Sequence, residues 1–104
     1  MSDSRDEPGR TAVLEPHAKT KRPRLYRVLL HNDHYTTMEF VVEVLQDIFR
    51  KSLDDAFTIM MNVHRSGVGV AGTYPSAVAE SKVSAVQSLA KKNGYPLKSS
   101  MEPE

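Results

Sequence analysis

Cysteine and tryptophan are absent from this 104-residue chain. Without thiols there is no disulfide scaffold, no thiolate nucleophile and no Cys-ligated zinc or iron–sulfur site. Aromatic residues are sparse, at 7% of the sequence. Net charge is nearly absent: 14 Lys and Arg stand against 13 Asp and Glu, a formal balance of +1. That balance speaks against a dedicated nucleic-acid binder. No apolar run approaches the roughly 18 residues a membrane span needs. Met1 to Arg10 is polar and lacks the apolar stretch of a secretory signal. A cytoplasmic protein without membrane attachment is therefore expected. Enzymatic fingerprints are missing too: no Gly-x-Ser-x-Gly elbow, no P-loop and no complete dinucleotide motif. The length suits one small domain, which buries roughly 60–70% of the surface its unfolded chain exposes. That is enough for one core and too little for an elaborate cleft, so neither enzymatic activity nor a cofactor is expected.

What is present falls into two parts. Residues 1–24 hold three of the six prolines and ten charged residues, with almost no bulky apolar side chains. Such a segment buries too little to offset its ordering entropy, and it reads as a disordered extension. Residues 25–101 read as a globular domain and 102–104 as a short tail. Tyr26 to Leu30 is an apolar, β-prone run that ends in the turn-forming pair Asn32-Asp33. Thr36 and Glu39 then fit a capping box opening a helix to about Arg50, with Phe40, Val41, Val44, Leu45, Ile48 and Phe49 along one stripe. Ser52-Leu-Asp-Asp55 repeats the start signal, and a second helix to about His64 carries Leu53, Ala56, Phe57, Ile59, Met60 and Val63 on its apolar side. Gly67-Val-Gly-Val-Ala-Gly72 reads as a turn leading into a strand, its glycines permitting close backbone approach. Pro75 and Ser76 open a third helix that Gly94 stops, and Tyr95 to Met101 is a last short strand. The order β-α-α-β-α-β predicts an α+β domain: a three-stranded, mostly antiparallel sheet with three helices packed on one face.

Chemistry concentrates around four histidine and acidic positions. His31, Asp33, His34 and His64 would form a metal site if the turn met the end of the second helix, since such a site needs three or four converging ligands. A simpler reading places His64 in the core. A third uses acceptors: the Asn32 carbonyl oxygen, the Asp33 carboxylate and a neutral His64 ring nitrogen suit an ammonium group. Met38, Val41, Met60, Met61 and Val63 would supply an adaptable apolar lining beside it. An ammonium next to a large side chain in an apolar slot describes a peptide N-terminus, whose capture is a known recognition mode. Lys82 falls within the apolar stripe of the third helix, either as a snorkelling stem or as a contact to a partner protein alongside Glu80.

The run Leu25-Tyr-Arg-Val-Leu-Leu-His-Asn-Asp-His-Tyr-Thr-Thr-Met-Glu-Phe-Val41 closely resembles the signature segment of the ClpS family. Met60-Met-Asn-Val-His-Arg-Ser-Gly67, Val78-Ala-Glu-Ser-Lys-Val83 and Tyr95-Pro-Leu97 are similar in order and spacing. The resemblance implies a monomeric cytosolic adaptor of the bacterial Clp unfoldase–protease that selects N-end-rule substrates (N-degrons). It implies that Asn32 and His64 bond the free α-amino group of a substrate beginning with Leu, Phe, Tyr or Trp, with Asp33 and the neighbouring His34 at the pocket mouth. Thr36, Met38, Val41, Met60, Met61, Val63 and Leu97 would line the side-chain pocket. Glu80 and Lys82 would face the N-terminal domain of a ClpA-type AAA+ unfoldase, and the extension would be engaged during handover.

Three positions depart from the family pattern. His34 stands where the family usually has a second Asp, replacing a carboxylate by an imidazole, whose charge changes between pH 5 and 8. Weaker amine binding or a narrower substrate range is expected, worsening as pH falls. Thr37 stands where many relatives have Pro, and Ala77 where relatives often carry Glu. An interaction module of the same fold with a degenerate pocket is a further alternative.

Overall fold

The computed structural model describes residues 23–104; the expected disordered extension, residues 1–24, lies outside them but for its last two residues. Six elements follow in the expected order: β1 (Leu25–His31), α1 (Met38–Asp47), α2 (Leu53–Ser66), β2 (Val68–Pro75), α3 (Ser76–Lys92) and β3 (Lys98–Pro103). The sheet has the order β2-β1-β3, and both pairings of β1 are antiparallel. β1 is thus the central strand, which suits its apolar composition. Its alternation assigns its faces: Val28 and Leu30 are fully buried, whereas Arg27 pairs with Glu102 at 3.1 Å and His31 bonds Ser100 at 2.7 Å. The helices cover the Val28–Leu30 face. Val44 and Leu45 of α1, Ala56 and Val63 of α2, and Ala79 and Val86 of α3 close the core with them. Between Val28 and Leu29 the register slips, so that β2 accommodates one extra residue, the buried Ala71. A bulge of this kind bends an edge strand and strengthens its twist.

Local chemistry moves several boundaries. The cap of α1 is Thr37, whose hydroxyl accepts the Phe40 N–H at 3.1 Å, and not Thr36. The Thr36 hydroxyl is already committed, donating to the Asp33 carboxylate at 2.7 Å. α1 stops at Asp47, short of Arg50, which adopts a left-handed φ of 59° in the turn to α2. Ser52 caps α2 through the Asp55 N–H at 3.1 Å, as its start signal predicts. The last strand starts at Lys98, three residues later than expected. Tyr95 instead stacks on Phe40 with ring centroids 4.6 Å apart, and its N–H donates to the Ala90 carbonyl at 2.9 Å. The far end corrects the domain boundary as well. Glu102 and Pro103 pair with β1, and the Glu104 N–H donates to the Leu25 carbonyl at 2.9 Å, so 102–104 belong to the sheet seam.

Two apolar stripes are wider than the core needs. Leu53 and Phe57 of α2 are 61% and 55% exposed, and Val78 of α3 is 43% exposed. Lys82, by contrast, is turned inward. Its ammonium donates to the Ile48 carbonyl at 2.6 Å, at the C-terminal end of α1, and lies 5.9 Å from the Phe49 ring centre and 5.5 Å from that of Tyr74. A cation at a helix C-terminus meets the negative end of the dipole, and the two rings add cation–π attraction. Lys82 therefore ties α3 to α1. Lys82→Met, which keeps the stem and removes the charge, is expected to cost about 1–2 kcal/mol. Urea denaturation measures this, and an unchanged midpoint would contradict the tie.

Candidate functional site

The site forms where β1 ends. Asn32 follows the strand directly, and Asp33 folds the next residues around its carboxylate. One oxygen accepts the N–H groups of Tyr35 at 2.8 Å and Thr36 at 2.6 Å, and the other accepts the Thr36 hydroxyl. Partial burial pushes the Asp33 carboxyl up. The hydrogen bonds from Thr36 and Tyr35, with the nearby His34, outweigh burial and hold it below its usual 3.8. This turn leads into the Thr37 cap of α1.

The second half of the site is the C-terminal end of α2. Gly67 closes that helix with a left-handed φ of 88°, its N–H donating to the Val63 carbonyl at 2.9 Å. No L side chain adopts this conformation readily, so glycine is the residue for the position. The Gly67 carbonyl then accepts the Asn32 N–H at 2.9 Å. That bond clasps the β1–α1 turn to the end of α2 and sets His64 opposite Asn32. Gly69 completes the approach: a Cβ there would meet Val63 Cγ2 at 2.7 Å, inside contact distance.

Between the two halves lies a cavity of about 300 Å³. Asn32, Asp33, His34, Thr36 and His64 form its polar rim, and Met38, Val41, Met60 and Val63 its apolar wall and floor. Val41, Met60 and Val63 are buried, whereas Met38 is 41% exposed at the edge. The arrangement offers hydrogen-bond acceptors over an apolar slot, at the small end of the range for ligand pockets. Asp33 is engaged by its own turn, and among the described residues the rim acceptors without a hydrogen bond are the Asn32 side-chain carbonyl oxygen and the imidazole nitrogens of His34 and His64.

Nine of the residues singled out in the sequence thus line one cavity, and among the described residues no others line it. Two do not join them. Leu97 is buried in the core, and Met61 is half-buried against it. Met61 follows Met60 on the helix, so the 100° turn between neighbours carries it past the pocket. His64 is exposed at the rim, which overturns the core-histidine reading. The four-residue metal site is not assembled: His31 turns away to Ser100, and no group of three or more His, Asp or Glu suited to a metal occurs among the described residues. Glu80 is exposed on α3. The supporting roles of Gly67 and Gly69 were foreshadowed only by the Gly-x-Gly pattern.

Residues 21–100 match the family described as ATP-dependent Clp protease adaptor protein ClpS. This chain belongs to the ClpS family. It is 61% identical over 92 residues to the ATP-dependent Clp protease adapter protein ClpS of Desulfatibacillum aliphaticivorans, covering 88% of each chain. The ClpS of Myxococcus xanthus is 57% identical over 89 residues, which are 86% of this chain and 83% of that one. Among solved structures, Agrobacterium tumefaciens ClpS2 bound to L-phenylalaninamide superposes with a TM-score of 0.77 at 43% identity, covering 80% of this chain and 100% of that one. ClpS proteins are adaptors of the Clp protease and not themselves proteases. Among the described residues, no helix is long and apolar enough to cross a membrane.

The lowered Asp33 value has a consequence for stability. A carboxylate whose pKa falls on folding stabilises the protein fully above its unfolded value and loses that contribution as pH drops through the folded value. Asp33→Asn is therefore expected to unfold at lower denaturant than the parent chain at pH 7, with the difference shrinking below about pH 4. Denaturation midpoints at pH 7 and pH 3 measure it; a difference that holds at pH 3 would mean the charge is not what stabilises the turn.

Proposed function

We propose that this ClpS protein grips the free α-amino group of peptides and proteins whose first residue is Leu, Phe, Tyr or Trp. It delivers them to the N-terminal domain of a ClpA-type AAA+ unfoldase, acting as a cytoplasmic monomer. The observation that carries the reading is a cavity with acceptors on its rim and apolar side chains beneath. An ammonium seated at Asn32 and His64 satisfies those acceptors, and the attached side chain enters the slot of Met38, Val41, Met60 and Val63. Methionine walls adapt to aliphatic and aromatic guests alike. Support also comes from the Agrobacterium tumefaciens relative, whose ligand is the amide of a large apolar amino acid. Exposed Glu80 and the α3 surface are assigned to the unfoldase. Lys82 contributes there mainly by fixing α3 against α1, since its ammonium is occupied at Ile48.

Acetylation tests the amine directly. A Phe-initiated peptide is expected to lose at least about a hundredfold in affinity when N-acetylated, roughly two charge-assisted hydrogen bonds. Equal binding of the two forms in a fluorescence titration would eliminate the mechanism. His34 tests the electrostatics. At an exposed site a restored carboxylate is worth up to about 1 kcal/mol toward the ammonium, or about fivefold. His34→Asp is expected to bind the free-amine peptide that much more tightly. Identical affinities of the two proteins would remove His34 from the amine site.

A further inference from the structure

α2 carries its apolar stripe beyond the pocket and out onto the surface. Leu53, Phe57, Met60 and His64 follow one another at intervals of four, three and four residues. At 3.6 residues per turn all four fall within about 60° of each other around the helix. The first two are, after Tyr35, the most exposed large apolar side chains among the described residues. With Met38, Glu39 and Val42 of α1 they enclose a groove of about 380 Å³, in which Glu39 is the one charged residue among those described. Met38 and Met60 line both this groove and the amine pocket, so the two cavities share a wall.

We propose that the groove is a second subsite on the same binding track and receives an apolar side chain from the third residue of the captured peptide. The proposal rests on the amine-pocket reading above. With the amine held at His64 and the first side chain at Met60, the stripe leads on toward Phe57 and Leu53. In an extended peptide, side chains of residues 1 and 3 point to the same face, about 6.6–6.8 Å apart, while residue 2 points away. Along α2, Phe57 lies about 4.5 Å and Leu53 about 10.5 Å from Met60, so the groove between them is centred about 7.5 Å away. The spacing of the two cavities thus matches the side-chain repeat of one extended chain. A continuous apolar track from an occupied pocket also explains why two large side chains remain exposed on a helix whose other apolar residues are packed.

The test uses the full chain and three fluorescent free-amine peptides beginning Phe-Ser-Ser, Phe-Ser-Leu and Phe-Leu-Ser. Leu at position 3 is expected to tighten binding about tenfold over Ser, and Leu at position 2 to leave it unchanged, consistent with partial burial of one side chain. Leu53→Ser and Phe57→Ser, both at exposed positions, should erase that gain and keep the Phe-Ser-Ser affinity. Equal binding of Phe-Ser-Ser and Phe-Ser-Leu, a gain confined to position 2, or a gain that survives both substitutions would overturn the subsite while leaving the amine pocket intact. No binding of Phe-Ser-Ser at all would sink the pocket reading, and the subsite with it. If Phe57→Ser instead abolishes self-association or binding to the unfoldase N-terminal domain, with the position-3 gain unaltered, the groove belongs to a second copy or to the unfoldase, and the proposal fails.

Discussion

One backbone hydrogen bond holds the site together. The Asn32 N–H and the Gly67 carbonyl lie 35 positions apart in sequence and 2.9 Å apart in space. Everything that makes a pocket depends on that clasp. On one side, β1 must end at His31 so that Asn32 is free to turn. On the other, α2 must end in a left-handed residue so that its last carbonyl points back at the turn. Gly67 meets the second condition and the pairing of His31 with Val68 meets the first. Gly69 then lets the backbone of β2 lie against Val63, which brings the pocket floor up to the rim. A polar rim and an apolar floor come from different elements, and the clasp sets them face to face.

The electrostatics of the rim divide in the same way. Asp33 brings the formal negative charge, but three hydrogen bonds from Tyr35 and Thr36 commit its oxygens to building the turn. His34 is exposed on the same rim and brings an imidazole, not a carboxylate. A neutral acceptor is worth roughly half of a charged one. The apolar slot beneath this rim is walled by Met38 and Met60, which also line the groove beyond it.

The order of elements was legible because it rests on local chemistry: alternation in β1, caps at Ser52 and Gly94, apolar spacing in the helices; in the pocket, residue type pointed to Asn32, Asp33, His64 and the apolar lining, while Thr36 and His34 came only from the family resemblance. What the sequence concealed was competition for single groups. Thr36 and Thr37 carry the same hydroxyl, and only the prior claim of Asp33 on Thr36 decides that Thr37 caps α1. Lys82 stands out in the sequence as a charge within an apolar stripe, but the carbonyl at Ile48 that receives it is available only once α1 has ended. Leu53 and Phe57 shared the periodicity of core residues. Periodicity shows which face of a helix is apolar but not how much of that face the neighbouring elements cover. Leu97 and Met61 show the reverse: both are apolar, yet Leu97 is buried in the core and Met61 lies half-buried against it, away from the pocket.

The central place of β1 also sets how the domain responds to force. A pull on the chain ahead of Leu25 acts along the axis of a strand bonded on both sides. Two ladders must then be sheared together, and neither can be unzipped rung by rung. β3 is different: it is an edge strand, and tension at Glu104 peels it from β1 alone. The two positions touch through the bond from Glu104 to Leu25, yet one is a strong mechanical anchor and the other a weak one.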